Sequence, residues 1–207
     1  MTEARRSISY IRLIRTYGTV MAGVLIILAF SLLSPHSFAT IDNAINISRQ
    51  ISFLVIIALG ATLVMAVGEF DLSVGAMASM GGVFAAKLAV AGYPIFFVIL
   101  LPMLAALAVG YVNGWIVTRF KVLSFITTLA MGTIIGGINF RITGGATVFE
   151  NIPDSFLYLG QTEFGDIPLL SVIMIFMTIL FWYIMTHTAL GRKLYAIGGN
   201  ESASRVA

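Results

Sequence analysis

The residues best placed to do chemistry in this sequence are two carboxylates, Glu69 and Asp71, within Gly68-Glu-Phe-Asp-Leu-Ser-Val-Gly75. Long uncharged apolar runs lie on both sides of them. A carboxylate near a bilayer centre costs roughly 2.5–3.5 kcal/mol on insertion scales, so such groups face a polar pathway, a partner or the membrane edge. Three chemistries are open to the pair. A proton or cation relay would make the chain an ion-coupled secondary carrier using Glu69 or Asp71. Against it, the nearest basic residue in an adjoining run, Lys87, stands about four to five helical turns away at about 3.6 residues per turn. An intramembrane aspartyl protease needs a second Asp in another span to share a proton, and no other span holds one. The third chemistry is structural: a turn between two spans, with Asp71 or Ser73 capping the next helix and the acidic side chain favoured by its dipole. A helix broken in this way also serves gating in transporters. Gly68, Glu69, Asp71, Ser73 and Gly75 therefore form a candidate gating or structural motif.

The other informative stretch is the C-terminal one, from His187 onward. Leu190, Leu194 and Ile197 mark an amphipathic segment with Arg192 and Lys193 beside them, and Gly198-Gly199 breaks it. Asn200 is a good N-cap for a short following helix with Glu201 in its first turn and Ala203 and Val206 along it. One reading is a helix lying on the membrane surface; the other is a cytoplasmic docking element for a partner protein.

Several classes are excluded. The chain has no cysteine, so disulfides and thiolate metal sites are absent, and His36 and His187 are isolated in sequence. No G-x-x-x-x-G-K-[ST] loop and no Ser-His-Asp set occurs, so no enzyme, cofactor or metal site is expected; any ATP would be bound by a partner subunit. A net charge of +3 is no nucleic-acid signature. No cleavable signal peptide is evident, because the first apolar run is long enough to span a membrane.

These motifs must be positioned by an all-α, polytopic transmembrane bundle. Hydrophobic residues make up 59% of the chain and charged residues 10%, more apolar surface than a soluble domain can hide. Six spans are read, over residues 16–34, 50–68, 74–90, 95–118, 123–140 and 168–186. Irregular backbone is expected near Val74, and a kink at Pro102. The organisation is a basic tail (1–15), a transmembrane domain (16–186) and a cytoplasmic loop (187–207). With both termini cytoplasmic, nine of the twelve Lys and Arg residues lie inside, and the acidic segment 143–166 faces outward. Small residues at spacing four (Ala78, Gly82, Ala86; Ala106, Gly110, Gly114; Gly132, Gly136) predict close helix packing.

The motif at Gly68–Gly75 resembles the G-x-x-D-L-S-V-G signature of ribose-type permease subunits of bacterial ATP-binding-cassette importers. Leu190-Gly-Arg-x-Leu-Tyr-Ala-Ile-Gly-Gly-Asn-Glu-Ser-Ala-Ser-Arg205 is similar to the cytoplasmic loop by which those permeases contact their ATPases. Asn113-Gly114 and Phe125-Ile126-x-Thr128-Leu129 also fit the family pattern. The resemblance covers nearly the whole chain and is weakest over residues 1–48. It implies a multi-pass subunit of a monosaccharide importer in the bacterial inner membrane, in contact with membrane lipid. Its partners would be an ATP-binding-cassette ATPase, a second permease subunit and a periplasmic sugar-binding protein docking near 143–166. Gly191, Arg192, Tyr195, Gly198, Gly199, Asn200, Glu201, Ala203 and Arg205 would form the ATPase-coupling loop. Family members continue with further spans, so a chain stopping at Ala207 is expected to be a fragment. A transport-incompetent remnant is the alternative that this raises.

Overall fold

The computed structural model describes residues 2–148 and 150–205. The chain divides into two compact units, Met1–Ser48 and Arg49–Ala207. In the first, α1 (Thr2–Leu33) is helical from its basic start, a stretch expected to be a tail. The chain turns at Pro35, with the Phe38 N–H donating to the Ser34 carbonyl at 2.8 Å and the Phe30 and Phe38 rings 5.5 Å apart. Helix α2 (Ile41–Ala66) begins inside the region read as loop. Thr40 Oγ1 accepts the Asn43 N–H at 3.2 Å, satisfying one of the free donors at a helix start, and Asp42 sits in the first turn.

In the second unit, α2 continues to Ala66 and is followed by an irregular segment. Next come α3 (Val74–Val90), α4 (Ile95–Phe120) and α5 (Ser124–Thr143). Helix α3 packs on both α4 and α5. Helix α4 carries Pro102 in its interior and ends at Lys121, which takes a left-handed φ of 56°. Helix α5 ends conventionally on Gly144, also left-handed, whose N–H donates to the Phe140 carbonyl at 2.8 Å.

The acidic segment 143–166 holds two elements unforeseen in the sequence. Helix α6 (Asp154–Gln161) is followed by a hairpin of β1 (Glu163–Phe164) and β2 (Ile167–Pro168). Its two-residue loop opens on Gly165 at φ 62°, where a tight hairpin favours glycine. Helix α7 (Leu169–His187), α8 (Ala189–Gly199) and the short α9 (Glu201–Ser204) complete the order. Arg49 of α2 pairs with Glu163 of β1, and Ser52 Oγ donates to Ser171 Oγ of α7 at 3.3 Å.

The interior is polar and the exterior apolar. Among the described residues, the buried side chains include the polar Ser52, Ser73, Asn113, Ser124, Thr127, Thr128 and Ser171 beside the apolar Ala86, Ala89, Val98, Ile135, Pro168 and Met185. Large Leu, Ile and Phe side chains lie on the outside, as a hydrocarbon solvent requires. Among the described residues, five helices are long and apolar enough to cross a membrane, and the shorter α3 is a further apolar helix. The chain is a polytopic helical membrane protein.

Candidate functional site

The backbone between α2 and α3 is where the carboxylate motif sits. The last turn of α2 closes with the Gly68 N–H donating to the Met65 carbonyl (3.0 Å) and the Glu69 N–H to the Val64 carbonyl (3.2 Å). Gly68 has φ +84°, a conformation L side chains rarely adopt, which explains a glycine there. The chain then runs non-helically to Ser73. In a membrane protein those backbone groups need partners, and the neighbouring helices supply them. Phe70 N–H donates to Ser124 Oγ (3.1 Å) and Leu72 N–H to Thr128 Oγ1 (3.0 Å), both on α5. Thr128 Oγ1 itself donates to a carbonyl, with Ser124 O at 2.8 Å and Phe70 O at 3.4 Å.

Asp71 holds the inner end of this segment. Its Oδ1 accepts both the Ser73 N–H (2.7 Å) and the Ser73 hydroxyl (2.6 Å). Since the Ser73 proton points at Asp71, its oxygen accepts from Asn113 Nδ2 of α4 at 3.0 Å. Ser73 is 1% exposed and Asn113 5%, so two members of the chain Asp71–Ser73–Asn113 are enclosed, while Asp71 is half-buried at the cleft. The expected capping of α3 is therefore corrected. Ser73 is the N-cap residue, but its side chain makes no cap bond: its proton goes to Asp71 and its oxygen accepts from Asn113 Nδ2. Asp71 closes its own turn instead of the helix start. The irregular backbone precedes α3 and does not enter it; Gly75 lies inside the helix with open space beside it.

The C-terminal stretch forms the two expected helices over its described part, with one correction: Gly198 and Gly199 do not break the first, which continues through them and ends at Asn200. Thr188 Oγ1 accepts the Gly191 N–H (3.4 Å) at the start of α8, and Asn200 Oδ1 accepts the Ala203 N–H (2.9 Å) at the start of α9. Val206 and Ala207 lie outside the described residues. Arg192, Tyr195, Gly199 and Ala203 are exposed. Arg205 pairs with Glu201, and this hydrogen bond and charge, with a further contribution from Lys121, hold the Glu201 carboxyl below its usual value.

The two stretches, read separately in the sequence, meet. A Cβ on Gly198 would stand 2.1 Å from the Ala66 carbonyl oxygen, and the Gly198 backbone lies 3.9 Å from the position of a Cβ on Gly68. Only a glycine lets α8 cross the end of α2 at this separation. Gly191 plays the same part against α7, where a Cβ would stand 2.2 Å from the Met185 carbonyl oxygen. Around the junction lies a cleft of about 570 Å³, bordered by Glu69, Asp71, Asn113, Lys121, Ile197 and Glu201. It joins carboxylates of both stretches to the end of α4. Among the described residues no group of three or more His, Cys, Asp or Glu side chains is placed to hold a metal.

Sequence reading did not connect Ser124, Thr128 and Asn113 to the motif. The signal was present: Ser124 and Thr128 lie four apart, on one face of a helix. The glycine pattern needs correction as well. Of Gly82, Gly110, Gly114, Gly132 and Gly136, only Gly132 has close neighbours, the Leu72 carbonyl oxygen (3.5 Å) and Ser73 Cα (3.6 Å). The other four face open space within this chain.

Residues 43–207 match the family described as branched-chain amino acid transport system / permease component. The chain is 36% identical over 189 residues to the ribose import permease protein RbsC of Haemophilus influenzae, covering 90% of this chain and 58% of the relative. It is 35% identical over 191 residues to RbsC of Escherichia coli (91% and 59%). To the D-allose transport system permease protein AlsC of Escherichia coli it is 32% identical over 189 residues (91% and 58%). The chain thus spans a little under three-fifths of the length of these curated relatives. No solved structure matches it.

Proposed function

We propose, on the premise that this chain belongs to the family of branched-chain amino acid transport system permease components, that it serves as a membrane subunit of an ATP-binding-cassette importer for a monosaccharide. The solute is a ribose-like pentose, a hexose or a close relative, in keeping with relatives named for ribose and D-allose. The subunit makes and breaks no covalent bond. It forms the translocation pathway with a second permease subunit and takes its energy from a separate ATPase, so ATP is bound by the partner. A sugar-binding protein delivers the solute on the face that carries α6 and the β1–β2 hairpin.

The observation that carries this reading is the junction at Gly198. An ATPase pushing on α8 and α9 would act directly on the end of α2, because no side chain cushions the contact. From there the displacement reaches the Asp71–Ser73–Asn113 chain, which is bonded to α4 and, through Phe70 and Leu72, to α5. Motion at the C-terminal helices thereby reaches three spans through one irregular segment. The secondary-carrier reading is less favoured, since the similar proteins are named as permease proteins of sugar transport systems, and Asp71 Oδ1 already accepts both donors of Ser73.

The test is deletion of 200–207 in the full-length protein assembled with its partners. Loss of ATPase association and of sugar uptake is expected. Unchanged association and uptake would refute the coupling role.

A further inference from the structure

We infer that a second cavity, between α3 and α5, is a contact site for a neutral polyhydroxyl solute crossing the membrane; this rests on the importer reading above and names the residues that would meet the cargo. The cavity has a volume of about 590 Å³, within the range of roughly 300–1,000 Å³ typical of small-molecule sites. It lies away from the carboxylate motif, against the middle of α3 and the last two turns of α5.

Its lining is suited to hydroxyl groups. Ser79 and Asn139 reach each other across it, with Asn139 Nδ2 donating to Ser79 Oγ at a long 3.3 Å. Asn139 Oδ1 is enclosed without a hydrogen-bond partner. A buried amide acceptor left unpaired is costly, and rotating the amide toward the cavity would offer it to an incoming hydroxyl. No ionisable side chain is among the described residues lining the cavity. An ion would be stripped of water there without a counter-charge, whereas a sugar needs only neutral donors and acceptors.

Glycines make the room. A Cβ on Gly82 of α3 or on Gly136 of α5 would meet nothing within 4 Å, so these positions are neither packing contacts nor backbone necessities. Both border the cavity. The loop after α5 covers one end. Thr143 Oγ1 donates to the Asn139 carbonyl (2.9 Å) and accepts the Gly145 N–H (3.1 Å), and the Phe140 ring lies against Gly145. Phe140 also borders the cavity and offers an aromatic ring to the apolar face of a sugar.

The experiment is uptake by the full-length permease with its ATPase and binding protein in membrane vesicles. Ribose and allose serve as probes. Gly82→Val and Gly136→Val should fill the cavity and lower the maximal uptake rate by roughly tenfold or more. Gly137→Val should stay within about twofold, because Gly137 also has open space beside it but does not border the cavity. Membrane level and ATPase association should remain at parental values in all three. Ser79→Ala and Asn139→Leu should lower uptake without filling space. Parental uptake in both cavity-filling variants would overturn the inference while leaving the importer reading intact. Loss of subunit assembly in the filled variants, with normal uptake in Ser79→Ala and Asn139→Leu, would place a packed helix in the cavity and also overturn it. Failure of the parent to take up any sugar would instead refute the importer reading.

Discussion

Asp71 is a carboxylate whose work here is geometric: it organises a turn whose hydroxyl and amide it binds through one oxygen. An amide oxygen can accept the same two bonds, though without charge assistance. Asp71→Asn should therefore fold to parental levels, while Asp71→Ala should lose about 1–3 kcal/mol of stability by leaving buried Ser73 donors unmet. Thermal unfolding in detergent separates them; equal stability of the two variants would contradict this role. Glu201 is a residue whose protonation should be felt by its helix. Its folded-state value is lowered by the Arg205 hydrogen bond and charge and by Lys121. A depressed value means the stabilisation is present above the carboxyl's ordinary range and is lost as pH falls through the lowered one. Protection of α9 from proteolysis should be flat across neutral pH, fall only in acid, and lose this acid dependence in Glu201→Gln.

At the scale of elements, helices were legible and their junctions were not. Span boundaries follow from where charges and prolines interrupt apolar runs, and α3 occupies the residues expected for it. The start of α2 was misplaced because Asp42-Asn43 reads equally as a turn or as the first turn of a helix; Thr40 decides for the helix. The hairpin in the acidic segment is too short for any periodicity to betray it. The meeting of Gly198 with Ala66 is invisible in sequence because it depends on backbone approach and involves no side-chain type. It makes a sharp prediction. Gly198→Ala must displace α8 from α2, whereas Gly199→Ala meets nothing within 4 Å. Overpacking of this kind costs about 1–3 kcal/mol. Limited proteolysis of α8 should accelerate in the first variant alone; equal rates would show that the helices are not held together.

For the whole molecule, composition and hydropathy gave the class, and the two motifs gave the family, since both are long and specific. The inward-facing polar network was not legible, because Ser and Thr in apolar helices serve equally well bonded to their own backbone, as Thr62 and Thr133 do here. The orientation implied by the basic residues is directly testable because the chain contains no cysteine. In intact cells, Ser155→Cys on α6 should react with a membrane-impermeant maleimide. Ser202→Cys on α9 should react only after permeabilisation. The reverse pattern would invert the topology.

The ties between α2 and α7 also set a timetable. Arg49 and Glu163 are 114 residues apart, and Ser52 and Ser171 are 119 apart. At about 5–20 residues per second of synthesis, on the order of 10 s separates the emergence of one partner from that of the other. During that interval α2 has left the ribosome and α7 does not yet exist. The segment that carries Arg49 and Ser52 must therefore be kept, by the insertion machinery or by the water at the membrane edge, from settling into lipid in another register. Slowing translation between α5 and α7 would lengthen that wait, and it is there that misassembly of this protein in the cell should concentrate.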